Sequence, residues 1–167
     1  LERLEQHADA QDVLNSLLLD DPHRDRRQFH LIDLDGRTAC WTGADCEGWA
    51  GHRHHPNLSV AGNCLAGDVV LEAMEQTFLT SDPNWKLGRR LMTALEAGEQ
   101  AGGDHRADTS TSAALQVSGE AAFPLLDLRV DFRAGAVEEL MELYERSQDL
   151  WAQQWRDELL ELPMLNR

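Results

Sequence analysis

The stretch Phe29-His30-Leu31-Ile32-Asp33-Leu34-Asp35-Gly36-Arg37-Thr38-Ala39-Cys40-Trp41-Thr42 decides the fold class of this chain. Phe29, Leu31, Ile32 and Leu34 form a short apolar run, Asp35-Gly36 is a strong two-residue hairpin signal, and Thr38 to Thr42 is rich in residues that favour strands. The spacing predicts an antiparallel hairpin. Immediately upstream, Asp9 is placed to cap a helix whose apolar positions are Val13, Leu14, Leu17 and Leu18, with Asp20-Asp21-Pro22 as its stop. Leu1 to His7 reads as the end of an earlier helix. The chain starts without Met and inside a helical pattern, so it is expected to be the later part of a longer domain.

Downstream, Gly43 to Pro56 contains three glycines and the run His52-Arg53-His54-His55, and this composition predicts a long loop. Leu58 to Ala61 reads as a strand that enters a segment of small residues. A helix is expected from Gly67-Asp68, with Val69, Val70, Ala73, Met74 and Phe78 on one face. Ser81-Asp82-Pro83 is expected to break it and cap a second, carrying Trp85, Leu87, Leu91, Met92 and Leu95. Ala113 to Val117 and Leu125 to Phe132 read as an antiparallel pair turned at Gly119 to Pro124. On the second strand Asp127, Arg129 and Asp131 share a face, which suggests a cross-strand ion-pair ladder. Ala136 to Leu160 reads as one amphipathic helix ended before Pro163, with Trp151 and Trp155 set to face a partner subunit. Antiparallel strand pairs with helices in consecutive groups make the fold class α+β.

The bulk composition narrows the partners. Thirty Asp and Glu against 15 Lys and Arg give a formal charge of -15, which repels a phosphate backbone and leaves nucleic acid without a basic face. No apolar run approaches the ~20 residues that span a bilayer, and no leader pattern is present in these residues. The three cysteines, Cys40, Cys46 and Cys64, match no disulfide or zinc spacing, which suits a reducing cytoplasm. A metal reading of His52, His54 and His55 with Cys46 or Cys64 competes with a loop of surface histidines. It is disfavoured because His54 and His55 point apart in extended chain. No motif calls for a cofactor.

Two small-residue segments stand out as a candidate site. One is Val60-Ala61-Gly62-Asn63-Cys64-Leu65-Ala66-Gly67; the other is Gly102-Gly103-Asp104-His105-Arg106, running on to Ser112-Ala113-Ala114-Leu115. Glycines at such junctions let backbone amides come close to a ligand. Ser112 lacks the Gly-x-Ser-x-Gly setting of an internal nucleophile, and Cys64 is expected to be a small buried residue.

In order, Trp49-Ala50-Gly51-His52, Gly62 to Gly67, Ala97-Gly98 to Arg106, Ser112 to Leu115 and Asp127 to Asp131 resemble the domain-of-unknown-function 1028 family. The resemblance covers roughly Leu1 to Tyr144 and leaves Ser147 onward outside. It implies an N-terminal-nucleophile (Ntn) hydrolase-like αββα sandwich lacking its N-terminal strands here. Residues 1–145 would be the C-terminal portion of that domain and 146–167 a helical extension. The family's small N-terminal nucleophile has no counterpart, since Leu1 carries no attacking group, and Ala107 stands where the family often has Gly.

The resemblance further implies hydrolysis of a small amide or other non-peptide C–N bond, with the nucleophile supplied from outside this chain. Asn63 would donate to the oxyanion; its alternative is a residue that tolerates a left-handed turn. Asp104 and Arg106 would form a charge pair beside a substrate carboxylate, or Arg106 would bind that carboxylate; the alternative is a solvated loop. His52, Gly62, Gly103 and Ser112 would line the substrate pocket of a homo-oligomer acting on a small molecule. A non-catalytic ligand-binding or assembly module of the same fold is the competing reading.

Overall fold

The computed structural model describes residues 8–106, 110–121 and 123–161. The expected helix end over Leu1 to His7, Ala107 and Pro163 lie outside the described residues. Helix α1 (Ala10–Asp20) opens as expected: Asp9 Oδ1 accepts the Gln11 N–H at 2.8 Å, and Ala10, Val13 and Leu14 are buried. A 3-10 turn at Arg24–Arg26 leads to β1 (Gln28–Ile32), which pairs antiparallel with β2 (Thr38–Thr42), Gln28 opposite Thr42 and Ile32 opposite Thr38.

The hairpin loop is one residue longer than the sequence signal suggested. Gly36 N–H donates to Asp33 O at 3.0 Å and Asp33 N–H to Arg37 O at 3.0 Å, leaving Leu34, Asp35 and Gly36 as the loop. Asp33 sets this geometry, because its carboxylate accepts the amides of Asp35 and Arg37 and the Arg37 Nε. Aspartate commonly closes such turns through its own side chain. Burial works to raise the Asp33 pKa, but the Arg37 side chain and the amides of Arg37, Ala10 and Asp35 together hold it below the usual value. Gly36 has φ +77°, and a Cβ there would lie 2.0 Å from Asn57 Oδ1 at the tip of the next hairpin. Gly36→Ala is therefore expected to lower unfolding free energy by roughly 2 to 4 kcal/mol, from left-handed strain plus overpacking. Urea denaturation measures this directly, and a loss below about 0.5 kcal/mol would mean the tip does not hold the hairpins together.

The expected loop Gly43 to Pro56 contains a strand instead. β3 (Trp49–His55) pairs antiparallel with β4 (Leu58–Leu65), with a register shift between Trp49 and Gly51. Glycine and histidine are weak strand signals, but here each alternate side chain finds a specific polar partner, and tertiary context overrides propensity. His52 and His54 reach Thr42 and Thr38 of the first hairpin, while Arg53 and His55 reach Glu75 on the other side. His54 and His55 thus point apart.

Helix α2 (Asp68–Thr80) buries Val70, Leu71, Glu75 and Phe78. Val69, expected inside, is 54% exposed, because Glu75 turns toward β3. Arg53 holds Glu75 at 3.0 Å and Asp68 at 2.6 Å, and His55 Nε2 lies 2.7 Å from Glu75 Oε1. This pairing is what makes an inward carboxylate tolerable. Helix α3 (Leu87–Gln100) starts later than expected, since Asp82 instead closes a turn on Asn84 and Trp85, and Trp85 lies before the helix with Arg89 over its ring.

β5 (Ala113–Val117) pairs antiparallel with β6 (Leu126–Val130). Arg129 pairs along the strand with Asp131, while Ala114 and Gln116 stand opposite Arg129 and Asp127, so there is no cross-strand ladder on that face. The expected single C-terminal helix is two, α4 (Ala136–Ser147) and α5 (Leu150–Glu161). The Gln148 and Asp149 amides bond three residues back to Glu145 and Arg146, and Asp149 O accepts the Ala152 and Gln153 amides in the first turn of α5. These short-range bonds stop one helix and start the next. Leu150, Trp151 and Trp155 of α5 are exposed.

The described residues form a mixed α+β structure with five α-helices and three two-stranded antiparallel sheets. Three apolar clusters hold it. α1 packs on Phe29, Leu31, Ala39 and Trp41; α2 and α3 pack on Leu58, Val60 and Leu65; α3 and α4 pack on β5 and β6 around Met92, Leu140 and Tyr144. β1 and β2 lie against β4 and β3. The first sheet therefore turns its apolar side to α1 and its polar side, Gln28, His30, Thr38, Cys40 and Thr42, to the second sheet. Among the described residues no helix is long and apolar enough to cross a membrane.

Candidate functional site

The polar side of the first hairpin and the end of β4 build the site. At its centre is Gln28, whose Nε2 donates to the Gly51 and Gly62 carbonyls at 2.8 and 2.9 Å and lies 3.0 Å from Thr42 Oγ1. Thr42 Oγ1 is 2.8 Å from His52 Nδ1, and Asn63 Nδ2 donates to Gln28 Oε1 at 3.4 Å. A chain of contacts therefore runs His52, Thr42, Gln28, Asn63 across two sheets. Burial pushes the His52 pKa down, and His54 and His30 nearby push it the same way, which favours the neutral ring.

Asn63 lies in β4 with an exposed side chain; the left-handed residue beside it is Cys64, at φ 53° and buried, which removes the turn reading of Asn63. The Asn63 amide opens onto a cavity of about 210 Å³ lined also by Arg26, Gln28, Asp45, Cys46 and Glu47.

The second small-residue segment meets the first through backbone. Leu65 and Asp104 form an isolated antiparallel bridge, Ala66 N–H donates to Gly103 O at 3.0 Å, and His105 N–H donates to Cys64 O at 2.8 Å. The His105 ring Nδ1 also lies on the Cys64 carbonyl. Asp104 and Arg106 pair with each other, the Arg106 Nε lying 2.9 and 3.0 Å from the two carboxylate oxygens. The Arg106 guanidinium pulls Asp104 down to about 2, and the Asp104 carboxylate in turn raises Arg106. Arg106 is thus already engaged by a carboxylate from its own loop.

Gly103, Asp104 and Ser112 line a different cavity, of about 270 Å³, between β4, α2, α3 and β5. β4 contributes Asn63 to the first cavity and Ala61 and Leu65 to the second. Of the residues expected from sequence, His52, Gly62 and Asn63 come together around Gln28, while Gly103, Asp104 and Ser112 gather elsewhere. Gln28 and Thr42 were missed, although Thr42 ends the predicted second strand and Gln28 stands opposite it, one residue before the predicted start at Phe29. The period-two polar row of that hairpin was the available signal. Ser110 was missed too: its carbonyl and hydroxyl accept the Ala136 and Val137 amides and so cap α4. Among the described residues no group of three or more His, Cys, Asp or Glu is arranged to hold a metal ion.

The pH dependence of stability follows from these groups. The folded-state pKa of His52 lies below the ordinary 6.5, so as pH falls through 6.5 the unfolded chain takes up a proton first and stability drops until the folded pKa is passed. Asp104 acts lower down: its contribution is present above the ordinary carboxylate value and is lost as pH falls toward about 2, modestly, because the pair is exposed. Urea midpoints at pH 7.5 and 5.5 should differ, and His52→Gln should shrink the difference. An unchanged difference would assign it to other groups.

The crystal structure of protein SPO2555 from Silicibacter pomeroyi is similar to this chain at 28% identity and a TM-score of 0.79, over 93% of this chain and 69% of that one. That protein carries the same family model. No curated protein matches the chain. The model described as the family of unknown function DUF1028 matches residues 1–140, and the chain belongs to that family.

Proposed function

We propose that residues 1–145 are the C-terminal portion of an Ntn-hydrolase-like domain that hydrolyses a small amide or other non-peptide C–N bond, with Asn63 donating to the oxyanion and the nucleophile supplied by residues outside these 167. The observation that carries the reading is the chain of contacts His52, Thr42, Gln28, Asn63, whose last member offers a neutral amide to a polar cavity between two sheets. The succession α1, first hairpin, second hairpin, α2 supports the αββα reading. A preorganised donor aimed at developing negative charge is the largest single contribution in many acyl transfers.

The test compares this chain with a polypeptide that also includes the residues encoded upstream of Leu1, assayed against a panel of small primary and secondary amides. Turnover is expected from the longer polypeptide only. Equal inactivity of both, with ligand binding retained, would replace the hydrolase with a binding module of the same fold. Turnover by the 167 residues alone would show that the nucleophile lies within them.

A further inference from the structure

The cavity beside Asn63 is built by three chain segments tied to one another through backbone. Asp45 N–H donates to Asp25 O at 2.7 Å, Gly43 N–H to Arg27 O at 3.0 Å, and Cys64 N–H to Glu47 O at 2.9 Å. The approach is close: a Cβ on Gly43 would lie 2.2 Å from Asp25 O. The backbone that carries the lining is thus fixed before any ligand arrives, which lowers the cost of binding.

Its charges are mixed. Arg26 supplies a guanidinium, Asp45 and Glu47 two carboxylates, and Gln28 and Asn63 two neutral amides. The neighbouring arginines are occupied, since Arg27 pairs with Asp21 at 2.6 Å and Arg24 donates to Leu18 O at 3.0 Å. Arg26 has no ion pair or side-chain hydrogen bond among the described residues. A simple anion would meet two carboxylates in a chain of net charge -15, and a simple cation would meet Arg26. A ligand bearing both charges satisfies both sets: its carboxylate takes the guanidinium fork and its ammonium the acidic pair.

We propose that this cavity selects zwitterionic small molecules of the amino-acid class, the cargo being an amino acid or amino-acid derivative that carries a carboxamide within reach of Asn63. The volume of about 210 Å³ suits a molecule of roughly seven to ten heavy atoms. This deepens the hydrolase reading, on which the placement of the carboxamide rests; the preference for paired charges stands on the cavity lining.

The test uses three probes that share a carboxamide and differ in charge. L-Asparagine carries both charges, succinamate lacks the ammonium, and β-alaninamide lacks the carboxylate. Titration of the 167-residue chain by calorimetry should show asparagine binding at least tenfold more tightly than either, with alkylation of Cys46 slowed on the same concentration scale. Arg26→Gln should bring asparagine down to the level of β-alaninamide without weakening β-alaninamide. The double variant Asp45→Asn, Glu47→Gln should bring asparagine down to the level of succinamate. Equal affinity for the three probes, tighter binding of a singly charged one, or failure of asparagine to bind and protect Cys46 at millimolar concentration overturns the proposal. Asparagine binding without turnover by the longer polypeptide would sink the hydrolase reading and leave this one standing. Turnover of uncharged amides without zwitterion preference would do the reverse.

Discussion

Gln28→Ala is expected to lower the free energy of unfolding by about 2 to 4 kcal/mol, because two part-buried carbonyls, those of Gly51 and Gly62, lose their side-chain donor at once. Few single side chains among the described residues join as much. Gln28 belongs to β1, both carbonyls belong to the second hairpin, and the Thr42 and Asn63 contacts depend on the same amide. Urea denaturation gives the magnitude. Gln28→Glu is the sharper companion, since a carboxylate facing two carbonyl oxygens has its pKa raised. The destabilisation of that variant should therefore grow as pH rises through the carboxylate range, while Gln28→Ala should lack this pH dependence. A loss below about 0.5 kcal/mol for Gln28→Ala would show that water replaces the amide and that the sheets are held elsewhere.

Asn63→Ala should act on turnover and leave stability nearly unchanged. Its side chain is exposed and makes one long contact, at 3.4 Å, so removal should cost less than about 0.5 kcal/mol of stability. In the polypeptide that includes the upstream residues, loss of an oxyanion donor should reduce kcat by about 10²- to 10³-fold with little change in KM. Asn63→Asp should be as damaging, because it places negative charge where negative charge develops. A tenfold rise in KM with kcat intact would move Asn63 from transition-state stabilisation to ground-state binding.

Local patterns carried much of the fold. The hairpin from Phe29 to Thr42, the Asp9 cap and the stop at Asp20-Asp21-Pro22 depend on neighbours within a few residues, and the structure follows them except for a hairpin loop one residue longer. β3 was hidden because His52, Arg53, His54 and His55 have no apolar alternation; their partners are Thr38, Thr42, Asp68 and Glu75, none of them adjacent in sequence. The break after Ser147 was hidden for another reason: Leu150, Trp151 and Trp155 continue the helical spacing across a turn made by backbone bonds. At the candidate site, Asn63 was conspicuous between small residues. Gln28 is 35 positions away in sequence, and nothing about an isolated glutamine announces that it joins two sheets.

The inward polar side of the first sheet has a thermodynamic consequence. Most paired sheets meet through apolar side chains, and separating them exposes hydrocarbon, which raises heat capacity and increases sensitivity to denaturant. Here Gln28, His30, Thr38, Cys40 and Thr42 meet Ser59, His52, His54 and three backbone carbonyls. Parting the hairpins exposes hydrogen-bonding groups that water accepts readily. Native-state hydrogen exchange at β2 and β3 should therefore show an opening whose free energy changes little with urea, whereas the amides of α3 and α4 exchange only with full, strongly urea-dependent unfolding. The two hairpins then form a seam that opens without melting the apolar clusters on either side.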